Sequence, residues 1–175
     1  MVDMKKNIMV VDDSALMRRV MCDIINLDNS LQVTEVSRNG EEAYQKIKSI
    51  KFDAIVLDIN MPKMNGLELL EKLKKEKIEV VVIMASTLTK EGSKETIRAL
   101  ELGALDFVTK PDTIIEAKGE DFASKLLMVL RGVLLGGGYI SPKKTVNIPK
   151  HENQIRSSGN SKLVALACST GGPKA

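Results

Sequence analysis

Short apolar runs alternate along the first 135 residues with stretches in which apolar residues recur every three or four positions. The first run, Ile8-Met9-Val10-Val11, predicts a buried strand that stops at Asp12-Asp13. Ser14 or Asp13 then caps a helix, in which Leu16, Val20, Ile24 and Leu27 repeat at helical spacing to about Asp28. Leu31 to Val36 reads as a second strand, with Leu31, Val33 and Glu35 on one side and Gln32 and Thr34 on the other. Asn39-Gly40 is a turn, and Glu41 to Ile50 a short helix burying Ala43, Tyr44 and Ile47. Ala54 to Leu57 is a third strand, ending on the carboxylate of Asp58 and followed by the turn residues Asn60, Pro62, Asn65 and Gly66. Gly66 to Lys77 predicts a charged amphipathic helix with Leu67, Leu70 and Leu73 inward. Val80 to Ala85 is the most hydrophobic run, hence a central strand, and it ends at Ser86-Thr87. A helix over Lys94 to Leu102 stops at Gly103. Leu105 to Val108 is a short strand ending at Thr109-Lys110-Pro111, and Asp121 to Leu135 is a last helix.

Five strand–helix alternations predict an α/β fold: a doubly wound five-stranded parallel sheet with helices on both faces, each parallel crossover needing a covering helix. In such a sheet the strand ends carrying Asp12-Asp13, Asp58, Ser86-Thr87 and Lys110 lie along one edge, where open α/β sheets place their ligand crevice. Carboxylates meeting there repel one another unless a cation joins them. Asp13, Asp58 and a main-chain carbonyl near Asn60 suit Mg²⁺, which takes hard oxygen ligands. A metal-bound carboxylate is a poor base but can act as a nucleophile. Asp58 can therefore attack a phosphoryl group whose charge the ion and the Lys110 ammonium offset, while Ser86 offers a hydroxyl. The product is an aspartyl phosphate. Taken singly, Asp13 also reads as a helix cap, Lys110 as a surface lysine and Phe107 as core packing; their joint placement at successive strand ends favours the phosphoacceptor reading.

The composition supports a folded, soluble chain of 175 residues with 43% apolar and 28% charged residues. Aromatics are only 3%, which leaves an aliphatic core and argues against base-stacking platforms for single-stranded nucleic acid. Met9, Met17, Met21, Met84 and Met128 are expected as core gap-fillers. The net charge of +3 is a property of the tail: the first 135 residues hold 20 basic and 22 acidic side chains. It is not the footprint of a nucleic-acid-binding fold. Cys22 and Cys168 form no metal or redox spacing, so reduced thiols and a cytoplasmic location are expected. No apolar run reaches the ~18 residues that span a bilayer, and Asp12-Asp13 cut short any signal-peptide pattern, so no membrane insertion is expected.

From Gly136 the periodicity is lost. Residues 136–162, with Gly136-Gly137-Gly138, Pro142, Pro149 and the one histidine, His151, read as a linker, most simply a solvated one. Leu163 to Cys168 then begins a new strand leading into Ser169-Thr170-Gly171-Gly172-Pro173, and residues 163–175 read as the truncated opening of a second domain. Ser-Thr-Gly-Gly after a strand can be a nucleophile turn or a phosphate-binding turn, and it is not the Gly-x-Ser-x-Gly pattern.

Val10-Val11-Asp12-Asp13-Ser14, the run Leu57 to Gly66, the Ser86 strand end and Phe107-Val108-Thr109-Lys110-Pro111 together resemble the response-regulator receiver domain of two-component signalling. The resemblance covers residues 1–135 and implies a flavodoxin-like fold. It also implies phosphorylation of Asp58 by a histidine kinase, with Mg²⁺ at Asp12, Asp13 and Asp58, to which the residue reading adds the Asn60 carbonyl. It sets Ser86 and Phe107 on the family's switch positions, and Thr87 where many receivers carry a smaller alanine. A narrower likeness is carried by Thr87-Leu88-Thr89, Gly92-Ser93, the run Ala99 to Pro111 and the run Ala167 to Pro173. These are similar to the chemotaxis protein-glutamate methylesterase, whose receiver restrains an esterase and glutamine deamidase acting on chemoreceptors.

That likeness makes Ser169 the match to a catalytic serine, with the triad histidine and aspartate falling beyond this chain; His151 does not match the histidine. The chain alone is therefore expected to lack esterase activity, since a serine without its base is a weak nucleophile. Its expected partners are the chemotaxis histidine kinase, methyl-accepting chemoreceptors and its own catalytic domain. The alternative is a stand-alone receiver that signals by phosphorylation-dependent protein binding. A DNA-binding output needs a helix-turn-helix after the linker, against which the strand-like Leu163–Cys168 speaks.

Overall fold

The strand β1 (Lys6–Val11) lies inside the sheet, between two other strands, because its last four side chains are apolar on both faces. Ile8 and Val10 point to one face and Met9 and Val11 to the other, as strand periodicity requires, and all four are fully buried. The computed structural model describes residues 5–87, 90–111, 113–117 and 119–136. Four more strands follow: β2 (Leu31–Ser37), β3 (Ala54–Asp58), β4 (Val81–Thr87) and β5 (Asp106–Lys110). All pairings are parallel, and the spatial order is β2-β1-β3-β4-β5. The chain winds outward from β1 to β2, then returns past it to β3. The C-terminal ends of β1 and β3 therefore flank the point where the winding reverses.

Helices cover both faces: α1 (Ala15–Asn26), α2 (Gly40–Ser49), α3 (Gly66–Lys75), α4 (Lys90–Leu102), α5 (Ile114–Ala117) and α6 (Glu120–Leu135). Met9, Val11, Ile55, Leu57 and Met84 pack with Ala43, Ile47, Leu70, Leu73 and Ala99 on the α2–α3–α4 side. Ile8, Val10, Val56 and Ile83 pack with Val20, Met21, Ile25, Phe122, Leu126 and Leu130 on the α1–α6 side. Two layers of aliphatic packing clamp β3, where Ala54–Asp58 are buried without exception. Truncating one such side chain, Leu57 for example, costs about 2–5 kcal/mol.

Local signals set the helix ends. Ser14, rather than Asp13, caps α1, its hydroxyl accepting from the Met17 amide. Asn39 caps α2, and Asn65 caps α3 in a reciprocal box with Glu68. Gly103 follows α4, and Gly136 ends α6 in the left-handed conformation.

Several expectations are corrected. The buried stripe of α1 is Val20, Met21, Ile24 and Ile25; Leu16 is 42% and Leu27 78% exposed. The helix is buried along a band rather than a single row, and the band is centred one position away from the Leu16 row. Met128 lies on the open side of α6, while Met9, Met21 and Met84 do fill the core. In β2 a bulge between the partners of Ile8 and Met9 makes Thr34 the extra residue. Leu31 and Val33 therefore face α1, while Glu35 turns to Lys46 on α2. The α4 helix begins at Lys90 rather than Lys94, and the short α5 has no counterpart in the sequence reading. Leu105 precedes β5 and is half exposed. Among the described residues no helix is long and apolar enough to cross a membrane. The linker 136–162 beyond Gly136, the Leu163–Cys168 run, His151 and Ser169 lie outside the described residues.

Candidate functional site

Parallel strands deliver their C-terminal residues to one edge, and there the chain gathers its acids and one lysine. Asp12 directly follows β1 and is fully buried. Its Oδ1 accepts from the Ser14 amide at 2.8 Å, and its Oδ2 from Lys110 Nζ at 2.9 Å. Asp58, the last residue of β3, is 3% exposed, and Lys110 Nζ stands 2.7 Å from its Oδ2. Asp13 lies on the open side of the β1–α1 loop, exposed to solvent. One carboxylate oxygen each from Asp12, Asp13 and Asp58 falls within 4.8 Å of the others.

Burial pushes the Asp58 carboxyl up to about 6, further than the Lys110 charge and hydrogen bond pull it down. Burial alone would lower Lys110, but the paired Asp58 and Asp12 charges outweigh it and hold the ammonium above its ordinary value. One ammonium against three carboxylates leaves the site electron-rich. The donors are all hard oxygens and one is open to water, which fits a small divalent cation that keeps part of its hydration shell. It does not fit a soft metal, since no sulfur or imidazole belongs to the cluster.

The remaining strand ends close the rim. Ser86 is 6% exposed, and its hydroxyl donates to the Thr87 carbonyl at 3.2 Å. Thr87 is aligned with Lys110 and Ser86 with Thr109 between β4 and β5. Phe107 is paired with Met84 and half-buried against the α2–α3–α4 core. Asn60, the second residue of the β3–α3 loop, is exposed.

That loop folds back tightly: the Gly66 amide donates to the Ile59 carbonyl at 2.9 Å. A Cβ on Gly66 would sit 2.2 Å from the Asp58 carbonyl oxygen, so only glycine allows α3 to begin against the end of β3. Lys63 in the same loop holds a positive φ of 67°, a conformation costly for a side-chain-bearing residue. Asp13, Asn39, Lys63 and Met64 line a groove of about 810 Å³ that opens beside the acids.

The structure thus brings together Asp12, Asp13, Asp58 and Lys110, and sets Ser86, Thr87, Phe107 and Asn60 at or next to the same sheet edge. Sequence reasoning missed two supporting features. Arg18 folds back from α1 so that its Nη1 donates to the carbonyls of Asp12 (2.7 Å) and Asp13 (3.0 Å). The Gly40 amide donates to the Met64 carbonyl at 2.9 Å, linking α2 to the β3–α3 loop. A basic residue near a helix N-terminus, against the helix dipole, was the available signal for Arg18. Nothing local signals the Gly40 contact.

Residues 8–117 match the family model described as the response regulator receiver domain. The chain is 35% identical over 98% of its length to a protein-glutamate methylesterase/protein-glutamine glutaminase 2 of Carboxydothermus hydrogenoformans, covering 50% of that protein. Chains of this length span about half of the curated relatives it matches. Its fold superposes on the response regulator domain of Thermotoga maritima CheB with a TM-score of 0.63 and 40% identity, covering 74% of this chain and 93% of that one. It also superposes on the CheX–CheY–BeF3–Mg²⁺ complex of Borrelia burgdorferi with a TM-score of 0.59 and 28% identity, covering 73% of this chain and 90% of that one.

Proposed function

The chain belongs to the response regulator receiver family, and on that footing we propose that Asp58 is its phosphoacceptor. The observation that carries this is the position of Asp58: it is the one buried carboxylate of the cluster that ends a strand, held at 2.7 Å by Lys110 and flanked by Asp12 and Asp13. Above pH of about 6 its carboxylate is ionised, so a lone pair is available without a separate base. A carboxylate oxygen forms the new bond to phosphorus as the bond to the donor breaks. The leaving group, a phosphohistidine nitrogen of a kinase or acetate from acetyl phosphate, departs with its electron pair. Lys110 stays protonated and offsets charge on the transferring group.

Asp12, Asp13 and Asp58, with the Asn60 carbonyl, would hold Mg²⁺, which supplies further neutralisation of phosphoryl charge when bound. Ser86 donates its hydroxyl to a phosphoryl oxygen once it turns from the Thr87 carbonyl, and Phe107 follows on the adjacent strand as the second switch residue. The likeness to the Borrelia complex, which contains Mg²⁺, supports the ion's identity.

The output of the switch is a protein-glutamate methylesterase and glutamine deamidase acting on chemoreceptors in the cytoplasm, with Ser169 as the nucleophile. The names of the curated relatives and the likeness to the CheB receiver support this reading. A chemotaxis histidine kinase supplies the phosphoryl group, and residues 1–135, 136–162 and 163–175 are receiver, linker and the start of the esterase.

Incubation with radiolabelled acetyl phosphate and Mg²⁺ tests the acceptor: one phosphoryl group per chain is expected, and none after Asp58→Asn. Undiminished labelling of the variant would sink the assignment. Methanol release from methylated chemoreceptors tests the output. None is expected from the 175-residue chain, and release stimulated by phosphodonor is expected from the product of the reading frame continued past Ala175.

A further inference from the structure

We propose that Arg18 is a positioning residue for the cation site, acting through the main chain of the two acids; the proposal rests on the metal reading above. Three carboxylates must converge, and two are held independently of Arg18. Asp58 lies inside the β3 ladder, and the Asp12 side chain is fixed by the Ser14 amide and by Lys110. Asp13 is different. It lies outside β1, on the exposed loop that leads into α1.

The clamp on that loop is the Arg18 guanidinium, whose Nη1 reaches both the Asp12 carbonyl at 2.7 Å and the Asp13 carbonyl at 3.0 Å. Two acceptors on successive residues, bound to one rigid planar donor, fix the peptide between them and so the direction in which the Asp13 side chain leaves the backbone. The geometry is natural for a helical residue one turn in, because side chains lean toward the helix N-terminus.

The charge of Arg18 works the other way. A cation in the opening turns of a helix opposes the helix dipole. A guanidinium beside a divalent-ion site also repels the ion. Charge and positioning therefore make opposite forecasts for the same substitution, which allows them to be separated. If the clamp dominates, removing Arg18 weakens Mg²⁺ binding although a repelling charge is lost. If the charge dominates, removal tightens it.

Titration calorimetry of Mg²⁺ into the wild-type chain, Arg18→Met and Arg18→Lys decides the matter, with the melting temperature of each recorded in metal-free buffer. Arg18→Met keeps the apolar stem without donors or charge, and Mg²⁺ affinity is expected to fall about tenfold, the scale for groups that orient metal ligands. Arg18→Lys keeps donors and charge but not the planar, rigid group, and is expected to recover only part of the affinity, binding between wild type and Arg18→Met. Amide resonances of Asp13 and Ser14 are expected to shift in the Met variant without added metal. If Met disturbs folding, Arg18→Gln, too short to reach both carbonyls, replaces it with the same expected loss. Unchanged or tighter binding in a folded Met or Gln variant would overturn the clamp while leaving the metal reading intact. Absence of binding by the wild type would overturn both.

Discussion

The Gly40 amide donates to the Met64 carbonyl across 2.9 Å, so the first residue of α2 is bonded to the loop that leaves the Asp58 strand. A Cβ on Gly40 would stand 2.7 Å from that carbonyl oxygen and 2.8 Å from Met64 Cγ, distances at which the loop must move. Gly40→Ala is expected to destabilise the chain by about 1–3 kcal/mol, the cost of forcing an extra methyl into packed surroundings. The roughly 0.5–1 kcal/mol that alanine gains over glycine applies to the middle of a helix, and Gly40 is the first residue of α2, so little of it offsets that cost. Urea denaturation at constant slope measures it. A stability equal to wild type would mean that the loop yields freely and that α2 is not coupled to it.

Asp58 makes the metal-free chain sensitive to mild acid in an unusual direction. Its folded pKa of about 6 exceeds its ordinary value of 3.8. The folded state therefore binds a proton more tightly than the unfolded state, and stability is greatest below the unfolded value. It is lost as pH rises through the folded one. Between pH 4 and 6 the loss is about 3 kcal/mol for a two-unit shift. Chemical denaturation in chelator across pH 4–8 checks this. Asp58→Asn is expected to be flat over the same window and more stable than wild type at pH 8, with Mg²⁺ narrowing the gap by binding the wild type.

Lys110 carries the opposite sign. Its folded pKa lies above the ordinary 10.5, so its stabilising contribution is fully present below that value and is lost only in strong alkali. Lys110→Met removes the ammonium shared by Asp12 and Asp58 and leaves buried carboxylates uncompensated. A cost of about 3–5 kcal/mol is expected at pH 8 in metal-free buffer. It should shrink as acidification protonates Asp58, and Mg²⁺ should restore part of it. A pH-independent deficit would show that packing, not charge, is what the variant loses.

The strands and their polar ends were legible because β1, β3 and β4 are buried on both faces, which makes each a short unbroken apolar run. The site followed from that: once the strands are parallel, Asp12, Asp58, Ser86 and Lys110 have to share an edge. The edge strand was harder. The bulge at Thr34 reverses the facing of β2, and a one-residue insertion leaves no mark in a pattern of alternation. Of the expected α1 row, Val20 and Ile24 are buried and only its two ends differ: Leu16 and Leu27 are apolar yet exposed, and apolar side chains on a surface are common. The contacts that hold the loops, Arg18 on two carbonyls and Gly40 on Met64, all end on main-chain carbonyls. Main-chain acceptors are the same at every residue and carry no side-chain signature.

Thr87 offers a test of access rather than of chemistry. It ends β4 directly opposite Lys110, half-exposed, with its carbonyl holding the Ser86 hydroxyl. If Asp58 is the phosphoacceptor proposed above, a phosphodonor has to reach an acid that is 3% exposed, and this rim is one side of the approach. Thr87→Ala removes a methyl and a hydroxyl from the rim and leaves the carbonyl acceptor in place. Labelling by acetyl phosphate is expected to accelerate about threefold, a barrier change of ~0.7 kcal/mol. Hydrolysis of the aspartyl phosphate should accelerate with it, since water uses the same entrance. Thr87→Met, which fills the rim, should slow both. Single-turnover labelling and decay at saturating Mg²⁺ separate this from metal binding. Rates that do not order as Ala above Thr above Met would mean that the entrance is set elsewhere, the groove beside Asp13 and Lys63 being the other open side of the acids.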